Sequence, residues 1–322
     1  APPTAPAPAA ARCARHPGGL GPRPAPGRNA FRIGITVPTV MPVGDPQVNR
    51  QQDQTNASRV SLGGGGIRAN NYLLDGVPIS ELRGRAVLNP TMEAVEEVKV
   101  QVHTYDADMG RTGGGVFNVT ARSGTNNYHG SAFYQTRPVW GQSENFFNAA
   151  AGVTKQESGL ADAYYKLFGG GAGGPIVKNK LFVFGNYENE EDKRPLHTFR
   201  ANNGGEPVGG SVTRVLKSDL TTLSAFLLQN FKYNTGGFEN LPSTTPAKRY
   251  LIRTDYNLNG RNKVSFRYNQ LDSSAGKIAS GSSSAGLGRS LGPSWIPYEN
   301  SNYAQLENIK SGIAEWNTVL GN

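Results

Sequence analysis

The fold is decided by the stretch RYLIRTDYNLNGRNKVSFRYNQL, residues 249–271. Apolar and polar side chains alternate on both sides of a short Asn-Gly turn, and this period of two predicts β-strands joined as a hairpin. One face carries the apolar and aromatic side chains, namely Tyr250, Ile252, Thr254, Tyr256, Leu258, Val264, Phe266 and Tyr268. The other face is polar and includes Arg253, Asp255, Lys263 and Arg267. The stretch therefore predicts a sheet with one apolar and one charged surface.

Similar strands recur through the second part of the chain. Six are predicted, over residues 128–137, 164–176, 180–189, 249–259, 262–271 and 305–319. Very short connections alternate with long ones, which cover residues 138–163, 190–248 and 272–304. This segregation is typical of an outer-membrane barrel, where apolar side chains face lipid, turns lie on the periplasmic side and long loops lie outside. A soluble β-sandwich is the alternative, since it also alternates its side chains.

The composition argues against several classes of protein. Only 18% of the residues are charged and 41 are Gly, whereas roughly 25% charged residues and about 7% Gly are usual. No apolar run approaches the roughly 18 residues of a membrane-spanning helix. Much of the net charge of +9 comes from arginines that precede the first acidic residue, Asp45. This distribution indicates a solvated basic tail rather than a nucleic-acid-binding surface.

The part of the chain before the six strands divides in two. Residues 1–44 are rich in Pro, Ala and Arg and predict a disordered leader. Residues 45–127 predict a small α+β segment that contains an Asp75-Gly76 turn. A short helix is expected over residues 92–97, followed by strands at 98–102 and 116–121. The predicted fold class is thus an α+β segment followed by antiparallel strands of a transmembrane β-barrel over residues 128–322.

Chemical motifs are weak in this sequence. Residues 169–174 spell the glycine pattern of a dinucleotide loop, but Pro175 and a strand follow instead of a helix. The four histidines are scattered and Cys13 is the single cysteine, so no zinc-ligand spacing exists. We therefore expect no enzyme activity, no cofactor and no metal ion. Helical spacing over residues 212–231 predicts one amphipathic helix, packed on the barrel mouth.

Several segments, in order, resemble a known family. They are Asn71–Pro78, Val95–Val100, Gly113–Asn126, Tyr128–Tyr134 and the region from Phe168 to Glu188. Together they resemble the plug-to-barrel region of TonB-dependent outer-membrane receptors, and the last of them is most similar to the Oar-like branch. The resemblance implies a plug domain at residues 45–127 inside a large barrel, of which residues 128–322 supply about six strands. The chain is therefore expected to be a fragment.

The same resemblance implies a function and partners. Such a receptor lies in the bacterial outer membrane and takes up a bulky solute, driven by a TonB-type energy-coupling complex of the inner membrane. Outer-membrane lipid and an unidentified solute are the other expected partners, and nucleic acid is not one. A structural or adhesive surface protein without transport is the alternative, as is a soluble β-sandwich that binds a ligand.

Two sets of site residues follow from this interpretation. Gly113, Gly114 and Gly115 would let the last plug strand pack closely against its neighbours. Arg253, Asp255, Lys263 and Arg267 would face the barrel lumen, with His129 and Arg137 from the first strand.

Overall fold

The computed structural model describes residues 30–31, 34, 37–42, 60–80, 86, 88–102, 112–143, 146–150, 152, 154–156, 160–278 and 292–320. Most of these residues belong to β-strands, which form two principal sheets and two small ones. The first 29 residues and residues 279–291 of the last predicted loop lie outside the described residues.

The first principal sheet, called the small sheet below, has four strands. They are β3 (Asn71–Leu74), β4 (Val77–Pro78), β5 (Val95–Val102) and β6 (Gly115–Ala121), in the order β4-β3-β6-β5. β3 and β6 are parallel, and the other two pairings are antiparallel. A two-stranded ribbon of β1 (Val40–Pro42) and β2 (Val60–Leu62) accompanies this sheet.

Aromatic side chains form the centre of the small sheet's core. The rings of Tyr72 and Phe117 stack with their centroids 5.3 Å apart, and Phe31 packs edge-on against both. Aromatic pairs usually have centroids about 4.5–7 Å apart. Phe31 is 2% exposed, and Val37 and Val40 are also buried. The disorder predicted for residues 1–44 stays a prediction, and the described residues Phe31, Val37 and Val40 are buried against the small sheet. Their few apolar side chains find partners in the small sheet, which local composition does not reveal.

The helix predicted over residues 92–97 is also wrong. Only Met92–Ala94 form a single 3-10 turn, and β5 begins at Val95. Val95, Val98 and Val100 are buried, and the strand pairs with β6 along its length. Cross-strand packing of β-branched side chains thus overrides the helical tendency of the acidic residues beside them.

The second principal sheet, called the large sheet, has six strands and is antiparallel throughout. They are β7 (His129–Arg137), β8 (Tyr164–Val177), β9 (Leu181–Pro195), β12 (Pro242–Asn257), β13 (Asn262–Lys277) and β14 (Tyr303–Thr318). The order β7-β8-β9-β12-β13-β14 follows the chain, and the sheet forms a wall that is not closed within the described residues. The antiparallel strands predicted from residue 128 onwards are confirmed.

Three wall strands are longer than predicted. β9 continues from residue 189 to Pro195, β12 begins at Pro242 rather than at 249, and β13 continues from residue 271 to Lys277. Both faces of these extensions carry polar residues, for example Asn189 and Glu190 on β9. Because hydrophobic alternation is absent there, the sequence gives no strand signal.

The two ends of the wall differ. Short turns at residues 178–180 and 258–261 define the turn end, and the long connections define the loop end. The loop end carries α1 (Phe146–Ala150), a parallel pair of β10 (Arg200–Asn202) and β11 (Val212–Leu216), and α2 (Lys217–Phe231). Within the described residues, no helix is long and apolar enough to cross a membrane.

Helix α2 is shorter than expected because residues 212–216 form β11. It packs through Leu220 on Ala201 and Ile296, and the Tyr298 hydroxyl donates a hydrogen bond of 2.7 Å to the Leu220 carbonyl. The helix therefore belongs to the cluster of loops at the loop end.

The two faces of the large sheet have different partners. Its inner face packs on the small sheet, where Phe184, Leu251 and Leu271 join the main core cluster. Its outer face carries exposed apolar residues such as Ile252 and Phe266. Two rows of aromatic residues bound this apolar surface: Tyr134, Phe168, Tyr187, Tyr250 and Tyr268 towards the loop end, and Tyr128, Tyr256 and Trp316 towards the turn end. Such rows mark the two membrane surfaces in outer-membrane barrels.

Candidate functional site

The site is built around Asp75, which lies in the turn between β3 and β4. Its backbone has φ of 51°, a left-handed conformation that Asp tolerates better than most residues. The Ala121 amide donates a hydrogen bond of 2.9 Å to its carboxylate, and the Asp75 amide donates one of 2.7 Å to the Val119 carbonyl. The small sheet thereby fixes this carboxylate towards the wall.

Two arginines of the wall meet this carboxylate. Arg267 of β13 forms an ion pair with one Asp75 oxygen, and Arg253 of β12 lies 3.8 Å from the other. Arg253 also donates a hydrogen bond of 2.7 Å to the Ala121 carbonyl and two hydrogen bonds, of 2.9 and 3.1 Å, to the Asp255 carboxylate. We call Asp75, Arg253, Asp255 and Arg267 the junction cluster.

Charge is balanced within the junction cluster. Burial raises the pKa of Asp75, while the Ala121 amide, Arg267 and Arg253 oppose that rise. Arg267 is 3% exposed and Asp255 2%, so each charge depends on its partner rather than on water. Removing one partner of a buried ion pair costs about 3–5 kcal/mol. The cluster can therefore hold the small sheet in one position against the wall, and its chemistry is reversible ion pairing.

The structure brings together three of the four polar residues predicted to face the lumen. Arg253, Asp255 and Arg267 belong to the junction cluster, whereas Lys263 is half-exposed and lies 3.8 Å from an Asp255 oxygen at its margin. His129 stacks on Phe184 of the inner face, with ring centroids 6.1 Å apart. Arg137 lies 5.6 Å from the centre of the Tyr165 ring.

Sequence reasoning missed Asp75 as a site residue, because an Asp-Gly pair reads as a turn signal. It also missed a row of acidic residues on the inner face of β9: Glu188, Glu190 and Asp192. These residues continue the two-residue spacing of the buried Phe184, but they are polar, so hydrophobic alternation does not mark them.

This acidic row is paired with arginines. Arg249, 2% exposed, donates to Glu188 at 2.6 Å and to Glu190 at 3.0 Å, and Arg194 donates to Asp192 at 2.9 Å. The inner face of the wall therefore carries a second polar surface, nearer the loop end than the junction cluster.

The three predicted glycines lie in and just before β6. A Cβ at Gly114 would be 2.5 Å from the Asn70 side-chain oxygen, and one at Gly115 would be 2.7 Å from the Gln101 carbonyl. At Gly113 the nearest atom would be the Ala69 Cβ at 3.7 Å, which is ordinary contact. Close packing thus requires glycine at two of the three positions.

The connection between the sheets is tightly held as well. A Cβ at Gly124 would be 2.5 Å from the Val183 carbonyl and 2.9 Å from the Gly174 carbonyl, so the backbone lies directly on the wall. On the other side of the interface, the Thr91 hydroxyl donates to Asn186 at 2.6 Å. Across the described part of the chain, no group of three or more His, Cys, Asp or Glu side chains is placed to hold a metal ion.

Comparison with known proteins agrees with this architecture. A family model described as an outer membrane beta barrel domain matches residues 120–201. The outer membrane transporter YddB from Escherichia coli shares the fold, with a TM-score of 0.58 at 13% identity, over 92% of this chain and 35% of that one. These matches indicate an outer-membrane β-barrel fold and a location in the bacterial outer membrane.

A relative specifies the class further. The TonB-dependent transporter Oar from Myxococcus xanthus is 26% identical over 228 residues, which are 68% of this chain and 20% of the relative. The chain is therefore a homologue of TonB-dependent transporters, which are not enzymes, and it spans about a fifth of that relative's length. The siderophore receptor PirA from Acinetobacter baumannii is less similar, with a TM-score of 0.42 at 15% identity over 77% of this chain and 33% of that one.

Proposed function

We propose that the chain is the plug domain and the first wall strands of a TonB-dependent transporter that imports a bulky solute across the outer membrane. In this proposal residues 45–127 are the plug and residues 128–322 the beginning of the barrel. The observation that carries it is the junction cluster, in which a carboxylate of the small sheet is held by two arginines of the wall. Homology to Oar supports energy coupling through a TonB-type complex.

The physical argument starts from the inner face of the wall. An empty barrel of the 22-strand class would leave a wide aqueous channel, and a folded domain inside it closes that channel. The inner face is polar because it carries the junction cluster and the ion pairs of Arg249 with Glu188 and Glu190. A polar face suits a surface that water wets once the plug moves. Ion pairs suit a contact that must open and close, because water can replace each partner's hydrogen bonds.

The transport proposal is tested in cells that carry the complete gene. Spent medium from the parent strain, a strain without this gene and a strain without the energy-coupling complex is compared by untargeted mass spectrometry. We expect at least one large solute to disappear only from the medium of the parent strain. Equal depletion by the parent and the gene-deletion strain would refute transport and favour a structural or adhesive surface protein.

The plug proposal has its own test in planar lipid bilayers. The full-length protein should show little ion conductance, whereas the protein lacking residues 60–121 should form large, steady channels. Equal conductance of the two proteins would contradict a plug role for the small sheet.

A further inference from the structure

A groove of about 470 Å³ lies on the outer face of the large sheet, away from the small sheet. Its floor contains Gly170 and Ala172 of β8 and Gly185 of β9, and Tyr187, Tyr250 and Ile252 line its side. The two tyrosine rings are 5.0 Å apart. The groove begins at the aromatic row nearer the loop end.

The groove has room that the backbone does not fill. A Cβ at Gly185 would meet no atom within 4 Å, unlike the glycines on the inner face that contact Phe184. Since this face of an outer-membrane barrel contacts lipid, an acyl chain is the available occupant.

Basic side chains lie next to the groove, on its loop-end side. Lys248 precedes Tyr250 by two residues on the same face of β12, and Lys166 precedes Phe168 in the same way on β8. Two residues along a strand correspond to about 7 Å, so both ammonium groups stand just beyond the aromatic row. This is the depth of lipid headgroups in the outer leaflet, because the long loops lie on the outside.

The acidic neighbours of these lysines are engaged elsewhere. Glu191, opposite Lys166, accepts a hydrogen bond from the Tyr164 hydroxyl, and Asp272, opposite Lys248, accepts one from Gln270 at 2.5 Å. Among the residues that the structure describes, neither lysine takes part in a salt bridge. The Lys166 ammonium instead lies 4.7 Å from the centre of the Tyr164 ring. The Tyr164 ring thus orients the Lys166 ammonium, and neither lysine is neutralised by a salt bridge within the described residues.

We propose that this surface binds one phosphorylated lipid of the outer leaflet. Its acyl chain would lie in the groove over Gly185 and beside Tyr187 and Tyr250, and its phosphate would contact Lys166 and Lys248. The combination of an apolar groove with two cations at headgroup depth carries the proposal, which does not depend on transport by the protein.

The test uses the full-length protein purified from outer membranes in a mild non-ionic detergent. Lipid phosphorus is measured per protein after extensive washing, and native mass spectrometry identifies what is retained. The test variants are the double substitution Lys166→Gln with Lys248→Gln, and Gly185→Leu, which fills the groove. Matched controls are Lys310→Gln and Gly312→Leu on the outer face of β14, where a Cβ at Gly312 also meets no atom within 4 Å.

We expect the parent protein and both controls to retain a phosphorylated lipid. Each test variant should retain at least about tenfold less, because a hydrogen bond to a charged group or a filled groove is worth that much affinity. A change in mobility on heating verifies that every variant is folded. Equal retention by all proteins, or equal loss from the controls, would overturn the proposal. The proposal would also be overturned if the parent protein is a dimer and the Gly185→Leu variant is a monomer that keeps its lipid. The groove would then bind a second copy of the protein.

Discussion

At Gly114 there is no room for even one methyl group, whereas its neighbour Gly113 has room for one. This difference between adjacent residues of identical type makes them a natural matched pair. It also shows what a glycine run specifies: close approach of two backbones at some positions, and only a flexible start of the strand at others.

Replacing Gly114 by Val should disrupt the small sheet. The side chain would collide with Asn70, whose amide donates a hydrogen bond of 2.6 Å to the Val60 carbonyl between β2 and β3. Overpacking of this kind costs about 1–3 kcal/mol or more. Gly113→Ala is the control and should be nearly neutral. Hydrogen exchange of residues 60–74 in the two variants measures the effect, and similar exchange in both would contradict this role for Gly114.

Replacing Asp75 by Asn should loosen the junction. The buried Arg267 would lose its charged partner in the small sheet, at a cost of about 3–5 kcal/mol. We expect faster hydrogen exchange in residues 71–80 and in β13, with the β9 to β12 pairing unchanged. Lys263→Gln, at the exposed margin, should have little effect. Unchanged exchange in Asp75→Asn would mean that apolar packing alone holds the small sheet.

Loop elements respond to pH through one ion pair. Glu206 accepts hydrogen bonds from Arg200 at 2.8 and 3.0 Å and from the Asn203 amide, and these contacts lower the pKa of Glu206 from 4.5 to about 2. A carboxyl group whose pKa falls on folding stabilises the fold while it is ionised. That contribution is complete above pH 4.5 and disappears as the pH falls towards 2.

We therefore expect the segment from β10 to β11 to loosen in this acidic range. Hydrogen exchange of residues 200–216, corrected for the intrinsic rate at each pH, should rise between pH 4.5 and 2. Glu206→Gln should exchange faster at neutral pH and show no further change over the same range. A parent protein whose exchange stays constant there would argue against the ion pair.

Strands were more predictable than helices in this chain. Apolar and polar side chains alternate along the wall strands because one face contacts lipid and the other contacts water or protein. This alternation allowed the hairpin of residues 249–271 to be predicted from the sequence. The 3-10 turn at Met92–Ala94 and the buried Phe31 depend on contacts with distant residues, and no local pattern encodes those. Asp75 was missed for the same reason, because its partners Arg253 and Arg267 are almost two hundred residues away in the chain.

For the whole molecule, the open wall has a consequence for handling. Within the described residues, β7 and β14 pair on one side only, so each presents unpaired backbone groups. The apolar outer face adds exposed residues such as Ile252 and Trp316. Free strand edges next to apolar surfaces promote aggregation.

The 322-residue chain expressed alone should therefore aggregate in plain buffer and stay dispersed only in detergent. Light scattering and gel filtration with and without detergent measure this. The complete protein in the same detergent, where further strands would cover both edges, is the comparison. A monomeric chain with a cooperative thermal transition in plain buffer would be evidence for a soluble β module.

Residues 122–128 join the last strand of the small sheet to the first strand of the wall. At full extension this segment spans at most roughly 25 Å. The segment is a short tether. Once the small sheet moves further than this length, any mechanical load on it is transmitted to β7. Gly124, which packs on the backbone of Val183 and Gly174, is the first residue of this tether that must leave the wall. The length of this short segment, rather than the strength of the ion pairs, sets how far the small sheet can travel as an intact body.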